Sequence, residues 1–289
     1  MARTAYVNGR YVGIKEPAVR IEDRGYQFAD GVYEVIKVVG GELRDLDRHM
    51  ARLERSLGEL RIEPPVSRRA LGAVIRETLR RNGLKNAIVY VQVSRGTAPR
   101  NHLFPRAPRA NLVVTVRRAP FPSAAELQDG CAVITVADQR WGRCDIKSIS
   151  LLANVLAKQQ AAEAGCREAW QIDEKGMVRE GSASNAWIVD MQGRLITHPL
   201  GPEILGGITR ARVIEMAKEE GVEVIERPFT LDEALEAREA FLTSTSSLVM
   251  PVVEIDGRSV ANGKPGSVTM ALQNRYRAAQ GMIAKSAVT

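Results

Sequence analysis

The sequence predicts an α+β protein of two domains. Short strand patterns that turn at glycines alternate with long amphipathic helix patterns. Two prolines, Pro120 and Pro122, interrupt both patterns near the middle of the chain. With 289 residues, one large or two medium domains are expected. We therefore expect a domain at 1–118, a linker at 119–123 and a domain at 124–289.

The composition is that of an ordinary globular protein, with 45% hydrophobic and 26% charged residues. No run approaches the roughly 18 apolar residues of a membrane helix, and the N-terminus lacks the apolar core of a signal peptide. The three cysteines are scattered and form no CxxC pair. We therefore expect a cytoplasmic protein with neither a disulfide framework nor a structural metal.

The formal net charge of +7 raises the alternative of a basic nucleic-acid-binding protein. However, the arginines of 45–55 alternate with acidic residues, which is typical of a solvated helix face. No RNA-binding signature or zinc-finger spacing occurs. We therefore expect no nucleic-acid or membrane partner, and the positive charge is equally suited to anionic small substrates.

The first domain is expected to begin with a hairpin, because strand formers flank Asn8 and Gly9, a pair that suits a type I′ turn. A second hairpin covers 32–39 and turns at the glycines that follow. Two helices come next, one with apolar residues spaced 4, 3, 4 and 3 apart and one capped by Ser67 and ended near Gly83. The apolar residues of the first helix are Leu46, Met50, Leu53, Leu57 and Leu60. The strands that close the domain are predicted at 88–93 and 112–116.

The second domain opens with a predicted strand at 132–136 and a helix after Lys147 that Gly165 ends. A further helix is expected to open at Thr209 and to end before Gly221, and a last one covers about 268–279. Short strands are predicted at 169–172, 177–179, 186–189, 195–197, 222–225, 240–242 and 252–255.

Lys147 lies between a predicted strand and a predicted helix, where side chains tend to point into a crevice at the sheet edge. Lysine forms Schiff bases, and it does so best where desolvation lowers its pKa. The alternative is an ordinary surface lysine. Four other stretches bear on the choice.

Two of these stretches lie in the second domain near glycines. Glu180 precedes small residues and can reach a cationic ring nitrogen, although 179–185 is also typical of a polar turn. In 205–210, glycines lead into a helix start, whose backbone N–H groups can bind an anion. The alternative for 205–210 is a flexible loop capped by Thr209.

The other two stretches are polar loops. The five hydroxyl residues of 243–247 suit phosphate oxygens, or they form a plain polar loop. In 95–105, two prolines stiffen a loop that carries Arg100 and His102 two residues apart. That pair can clamp a carboxylate, or it can face water.

A Schiff-base lysine, an acid for a ring nitrogen and two phosphate-binding candidates together describe a pyridoxal phosphate site. At this point the sequence resembles the class IV (fold-type IV) aminotransferases over nearly its whole length. The resemblance implies a two-domain enzyme, with a smaller N-terminal α/β sandwich and a larger C-terminal pseudo-barrel with helices. It is carried, in chain order, by 28–34, 49–53, Lys147, 180–185 and 207–210.

Within that family, 95–105 is similar to the loop of the D-amino acid aminotransferases. The resemblance implies that Lys147 binds pyridoxal 5'-phosphate and that Glu180 is the partner of its ring nitrogen. It also implies that Arg100 and His102 reach over from the neighbouring subunit of a homodimer and, with Tyr33, bind the substrate α-carboxylate. The implied phosphate and ring contacts are Arg52, Leu205, Ile208, Thr209 and Thr245.

The implied reaction is ping-pong transamination between a D-amino acid, of the D-alanine or D-glutamate type, and 2-oxoglutarate or pyruvate. Alternatives of the same fold are a branched-chain L-amino acid aminotransferase, an (R)-amine transaminase and an aminodeoxychorismate lyase. The two transaminases are expected to lack the Arg-x-His pair, which favours D-amino acids. Gly206 and Gly207 stand out at the phosphate loop, where added flexibility would loosen cofactor binding.

Overall fold

A computed structural model describes residues 3–16, 18–119 and 121–284. They form two compact units, each with its own sheet and helices. The first unit comprises the described residues of Met1–Ala119 together with Ile146–Ser150, and the second comprises those of Pro120–Asp145 and Leu151–Thr289.

The α+β fold expected from the sequence is confirmed. The limits 1–118, 119–123 and 124–289 stay a prediction for independently folding domains, and Pro120 of the expected linker lies outside the described residues.

The first unit contains a six-stranded antiparallel sheet in the order β2-β1-β6-β5-β3-β4. Its strands are β1 (Thr4–Val7), β2 (Arg10–Gly13), β3 (Gly31–Val39), β4 (Glu42–Leu43), β5 (Ala87–Ser94) and β6 (Asn111–Arg118). Its helices are α1 (Arg24–Phe28), α2 (Leu46–Glu59) and α3 (Arg68–Asn82).

Local sequence explains these elements. Asn8 and Gly9 turn the first hairpin with φ of 47° and 93°, as the left-handed turn type requires. Ser67 caps α3 by accepting a hydrogen bond from Ala70 N at 3.3 Å, and Gly83 ends the helix with φ of 63°. The predicted apolar stripe of α2 is buried in the core of this unit.

Successive side chains of β3 point to opposite faces of the sheet. Val32, Ile36 and Val38 belong to the core that also contains apolar residues of α2 and α3. Tyr33 and Lys37 therefore lie on the other face.

The segment Ile146–Ser150 packs beside the start of β3. Tyr33 N donates to Lys147 O at 3.0 Å, and Ile149 N donates to Gly31 O at 3.0 Å. A Cβ at position 31 would come within 3.1 Å of the Ile149 side chain and would overlap Val93 O, so glycine is required there. The sequence analysis placed Lys147 in the second domain, but these backbone bonds hold its segment in the first unit.

The second unit contains a ten-stranded mixed sheet. Its strands are β7 (Cys131–Ala137), β8 (Glu168–Ile172), β9 (Met177–Gly181), β10 (Asn185–Val189), β11 (Leu195–Thr197), β12 (Val224–Glu226), β13 (Phe229–Thr230), β14 (Glu239–Ser244), β15 (Leu248–Ile255) and β16 (Arg258–Ser259). Its helices are α4 (Ala124–Asp129), α5 (Leu152–Glu163), α6 (Ile208–Glu219), α7 (Leu231–Glu236) and α8 (Ser267–Ala279).

Helices connect two parallel strand pairs of this sheet. α5 lies between β7 and β8, and α6 lies between β11 and β12. Such crossovers leave the carboxyl ends of the parallel strands as the usual ligand-binding edge. The residues that follow β7 and β11 are therefore the first place to look for a site.

Several boundaries differ from those expected. α6 begins at Ile208 with Gly207 as its N-cap, so Thr209 lies inside the helix rather than capping it. β12 begins at Val224, two residues later than expected. Among the described residues, no helix has the length and hydropathy needed to cross a bilayer.

Candidate active site

The side chain of Lys147 lies against an aromatic pair in the first unit. Its Nζ is 4.3 Å from the centroid of the Tyr33 ring, and the Tyr33 ring is 5.5 Å from that of Tyr90. Lys147 N donates to Ser56 Oγ at 3.3 Å. Burial, and secondly the neighbouring Tyr33, raise the pKa of Tyr90 to about 12. The structure thus brings together two of the residues expected at the site, Lys147 and Tyr33.

Arg52 belongs to a buried ionic cluster between β3 and α2. Its Nε and Nη2 donate to Glu34 Oε1 and Oε2 at 2.7 and 2.8 Å, and His49 Nδ1 lies 2.7 Å from Oε2. Burial alone would raise the pKa of Glu34, but the charge and hydrogen bonds of Arg52 outweigh it and lower that pKa to about 2. Burial lowers the pKa of His49, although its hydrogen bond to Glu34 opposes this.

An ionised Glu34 beside a neutral His49 follows from these shifts, with His49 donating from Nδ1. The two-pronged contact with Glu34 fixes the plane of the Arg52 guanidinium. The expected contact between Arg52 and a phosphate stays a prediction.

Arg100 and His102 are both exposed and gather around one ring. The guanidinium carbon of Arg100 is 4.6 Å from the Phe28 ring centroid, and the His102 ring lies 5.4 Å from the same ring. The pair is therefore presented together at the surface of the first unit, as a carboxylate clamp requires.

Glu180, near the end of β9, is a buried carboxylate with 5% of its surface exposed. Arg140 donates to its Oε1, and Asn185 Nδ2 and Leu205 N donate to its Oε2 at 2.9 and 3.1 Å. Because all three partners are donors, the group is held as the carboxylate. Its burial excludes the alternative of a solvated turn residue.

Arg140 is itself held in place by Asp138. Its Nη2 bonds Asp138 Oδ2 at 2.8 Å, and a second nitrogen, Nε, bonds Oδ1 at 2.9 Å. Burial acts to raise the pKa of Asp138, but the hydrogen bonds and charge of Arg140 prevail and lower it. A chain of alternating charge, from Asp138 through Arg140, thus leads from the end of β7 to the buried Glu180.

Asn185 brings together the parts of the site in the second unit. Its Nδ2 bonds both Glu180 Oε2 and Leu205 O, each at 2.9 Å, and a Cβ at Gly207 would overlap its Oδ1. In the β10–β14 ladder Asn185 also faces Thr243. These contacts place Glu180, Leu205, the start of α6 and the end of β14 at one edge of the sheet.

The start of α6 offers backbone donors to an anion. Its first N–H groups have no carbonyl partner within the helix, and the N-cap, Gly207, contributes no capping side chain. The hydroxyl of Thr209 faces inward and lies 3.2 Å from Tyr276 Oη. What Ile208 and Thr209 can present to a phosphate is therefore their backbone N–H groups.

The hydroxyl stretch at 243–247 covers the end of β14 and the turn that leads to β15. Thr243 Oγ1 accepts a hydrogen bond from Trp187 Nε1 at 2.9 Å, and Ser244 Oγ accepts one from Ser247 N at 2.9 Å. Two of the five expected phosphate hydroxyls thus already have partners in the protein: Thr243 bonds a side chain of β10, and Ser244 bonds within the turn. Thr245 lies two residues beyond Thr243, and its expected phosphate contact stays a prediction.

These residues fit pyridoxal phosphate chemically. Lys147 supplies an amine, Glu180 supplies a buried carboxylate for a protonated ring nitrogen, and the glycine-led start of α6 supplies donors for a phosphate. The close approach of Gly207 to Asn185 also leaves no room for a side chain where the loop 205–207 enters α6. Among the described residues, no group of three or more His, Cys, Asp or Glu is arranged to hold a metal ion.

Sequence reasoning missed the roles of several polar residues in these clusters. Arg140 and Asp138 directly follow the strand β7, and that position at a strand end was a usable signal. Asn185 belongs to a stretch that was singled out, but nothing local predicts its contacts with 205–207. Glu34 and His49 become partners only through the packing of α2 on β3.

The chain was compared with known proteins. Residues 31–255 match the family model for amino-transferase class IV. The D-alanine aminotransferase of Bacillus licheniformis is 44% identical over 92% of this chain and 93% of its own length, and that of Staphylococcus haemolyticus is 38% identical over 94% and 95%. The solved branched-chain aminotransferase of the archaeon Thermoproteus uzoniensis, with norvaline, has a TM-score of 0.87 at 28% identity, covering 99% of this chain and 97% of that one.

Proposed function

Since the chain belongs to the class IV aminotransferases, we propose that it transfers the amino group of a D-amino acid to a 2-oxo acid with pyridoxal 5'-phosphate. We assign D-amino acids as the substrates because the chain is 44% identical to a D-alanine aminotransferase over 92% of its length. The branched-chain alternative is less supported, because its structural match is at 28% identity and reflects the shared fold. D-alanine and D-glutamate are the expected donors, with pyruvate or 2-oxoglutarate as acceptors.

The residues divide the work of the reaction. When bound, the cofactor supplies an aldehyde that condenses with amines and a ring that withdraws electrons from the substrate α-carbon. We assign to Lys147 Nζ the covalent attachment of the cofactor and the removal and return of the α-proton. Glu180 would keep the ring nitrogen protonated, since its carboxylate is held in the charged form by donors on both oxygens. The start of α6, with Leu205, Arg52 and Thr245, would hold the phosphate and the ring.

Arg100, His102 and Tyr33 are assigned to the substrate α-carboxylate. A guanidinium and an imidazole two residues apart give the planar, charge-assisted contacts that a carboxylate prefers. The gathering of Arg100 and His102 around Phe28 supports this assignment. Recognition of the carboxylate is what separates amino acids from simple amines as substrates.

A half-reaction tests this function. Holoenzyme mixed with D-alanine, without an acceptor, is expected to lose its visible absorbance band and to release pyruvate. L-alanine, L-leucine and (R)-1-phenylethylamine, tested separately, are expected to react far more slowly. Faster loss of the band with L-leucine would assign the branched-chain activity instead. Continuous pyruvate release from aminodeoxychorismate without an acceptor, in a separate assay, would assign the lyase.

We also propose a homodimer whose clamp is supplied across the interface, working in the cytoplasm. Leu152, Val155 and Leu156 form an apolar stripe on one side of α5 and are 73%, 58% and 50% exposed, as a surface covered by a second copy would be. Three free cysteines suit a reducing compartment.

Subunit complementation tests the shared site. A variant lacking Lys147 is expected to be inactive, and a variant lacking both Arg100 and His102 is expected to react with D-alanine only at concentrations far above those that saturate the wild type. Exchange of their subunits is expected to restore activity, because mixed dimers hold one intact site. Absence of recovery, with subunit exchange verified by mass, would contradict the shared site.

A further inference from the structure

The loop 99–105, which carries Arg100 and His102, follows a segment tied to the start of α1. Arg24 N donates to Gly96 O at 2.9 Å, and Ala98 N donates to Glu22 O at 3.2 Å. Beyond residue 98 the loop leaves this ladder, and its residues 100–104 are exposed. Something other than strand pairing must therefore fix its backbone.

The side chain of Arg24 makes that contact. Only 3% of its surface is exposed, and its Nη1 donates to the carbonyl oxygens of Asn101 and Leu103, the latter at 3.3 Å. Its Nη2 reaches His102 O at 3.4 Å. One guanidinium thus spans three consecutive carbonyls of the loop, with one strong contact and two longer ones.

The rest of the Arg24 guanidinium is anchored to the interior. Its Nε donates to Asp30 Oδ2 at 2.8 Å, and Arg95 binds the same carboxylate through Nε and Nη2 at 2.8 and 2.9 Å. Burial acts to raise the pKa of Asp30, but the hydrogen bonds of Arg95 and Arg24 outweigh it and lower the pKa. The anchor therefore stays charged across the neutral range.

Phe28, one turn along α1, links Arg24 to the two clamp side chains. Its ring centroid lies 4.8 Å from the guanidinium carbon of Arg24 and 4.6 Å from that of Arg100. The His102 ring packs against it at 5.4 Å. Arg24 thus holds the loop backbone directly and Phe28 supports its side chains, both from a five-residue helix.

We propose that Arg24 is a positioning residue for substrate recognition, which holds the loop 99–105 so that Arg100 and His102 are presented together to the α-carboxylate. The inference rests on the proposed function for the role of those two residues. Arginine is required because its planar fork reaches Asp30 on one side and the loop carbonyls on the other. A lysine has all its donors on one nitrogen, so it can bind either Asp30 or the loop carbonyls but not both.

Steady-state kinetics of Arg24→Met and Arg24→Lys with D-alanine test the proposal. We expect KM for D-alanine to rise about tenfold or more, since a misplacement of about 1 Å can cost about 100-fold. Little change is expected in kcat, as for a contact made equally in the ground and transition states. The half-reaction with an amine that lacks a carboxylate is expected to be unaffected.

Arg95→Lys is the matched control. Arg95 is equally buried and shares Asp30, but its other hydrogen bonds go to Leu60 O and Arg61 O and reach no carbonyl of the loop 99–105. Its guanidinium lies over Phe104 of that loop, and lysine is chosen as the replacement because it keeps a cation there. It is expected to lower stability without a comparable rise in KM. An equal rise in KM would show that damage to the ion pair, rather than release of the loop carbonyls, is responsible, and would overturn the proposal.

A double-mutant cycle separates positioning from general damage. In an Arg100→Ala, His102→Ala background, Arg24→Met is expected to change KM by less than about twofold, because the residues through which it acts are gone. A full, additive effect in that background would contradict the proposal. If Arg24→Met does not fold, Phe28→Leu takes its place in the cycle, with the same expectation.

Hydrogen exchange supplies a readout that needs no turnover. The Leu103 amide, which donates to Asn101 Oδ1 at 3.0 Å within the loop, is expected to exchange faster in the Arg24→Met holoenzyme than in the wild type, because the loop has lost its anchor. Unchanged exchange would overturn the inference. Failure of the wild-type enzyme to react with D-alanine would instead overturn the proposed function. The exchange result would then still show whether Arg24 holds the loop.

Discussion

Replacing Lys147 with alanine is expected to lower turnover by at least about 10⁴-fold, since proton transfer by a positioned base alone contributes about 10²- to 10⁴-fold and covalent attachment of the cofactor is lost as well. The visible absorbance band of the holoenzyme is expected to disappear or shift with it. Stopped-flow mixing with D-alanine and an absorbance spectrum of the purified variant measure both effects.

Lys37→Met is the control, because Lys37 is the rival amine in the chain. Burial lowers the pKa of Lys37 to about 7, with the charge of Asp45 opposing the shift, and a lowered pKa is the property sought in a Schiff-base lysine. However, Lys37 is only 2% exposed, and on β3 it lies about 13 Å along the strand from Tyr33 at about 3.3 Å per residue. We expect the control to keep the band. Loss of the band in the control, but not in Lys147→Ala, would reverse the assignment.

Replacing Glu180 with glutamine is expected to lower kcat by about 100- to 1,000-fold, the size of effect found when one preorganised electrostatic contact is removed. Both oxygens of Glu180 accept hydrogen bonds, from Arg140, Asn185 and Leu205 N. In glutamine, an NH₂ group replaces one of these oxygens. It would face an N–H donor and cannot accept a hydrogen bond from it. Arg140 keeps its two hydrogen bonds to Asp138, so the loss of stability is expected to be smaller than the roughly 3 kcal/mol or more that follows when a buried charge is left without a partner.

Glu203→Gln is the matched control for this change. Its side chain is 41% exposed and lies 3.5 Å from Arg179, so loss of its charge is expected to leave kcat nearly unchanged. Single-turnover rates for both variants, with cofactor saturation confirmed by titration, measure the difference. An active Glu180→Gln enzyme with wild-type rates would remove Glu180 from the reaction.

The long, regular elements of the fold could be predicted because their signals are local. The stripe of α2, the cap of α3 at Ser67 and the Asn8–Gly9 turn each depend on residues within a few positions of one another. The short helices α4 and α7 were missed. Both carry a capping box, at Ser123 with Glu126 and at Thr230 with Glu233, so a readable signal was present.

Strand order could not be predicted, because pairing joins distant parts of the chain. The parallel pair of β15 and β7 aligns Ile255 with Val133, and no nearby residue indicates that partner. For the same reason the packing of the Lys147 segment could not be predicted: it is flanked in sequence by the second unit but hydrogen-bonds to β3.

The site residues, too, could be predicted where their signal is local and were missed where it depends on distant partners. Lys147, Glu180 and the glycines before α6 were found because each has a recognisable local setting. Asn185, Arg140 and Arg24 act through partners that lie from 20 to nearly 80 residues away. Their roles become visible only when the contacts are known.

Borohydride reduction of the holoenzyme, followed by peptide mass mapping, tests the central assignment most directly. Reduction fixes the cofactor irreversibly to the amine that holds it. We expect the added mass on the peptide that contains Lys147 and on no other lysine. Its recovery on the peptide that contains Lys37, or no added mass on any lysine, would contradict the account.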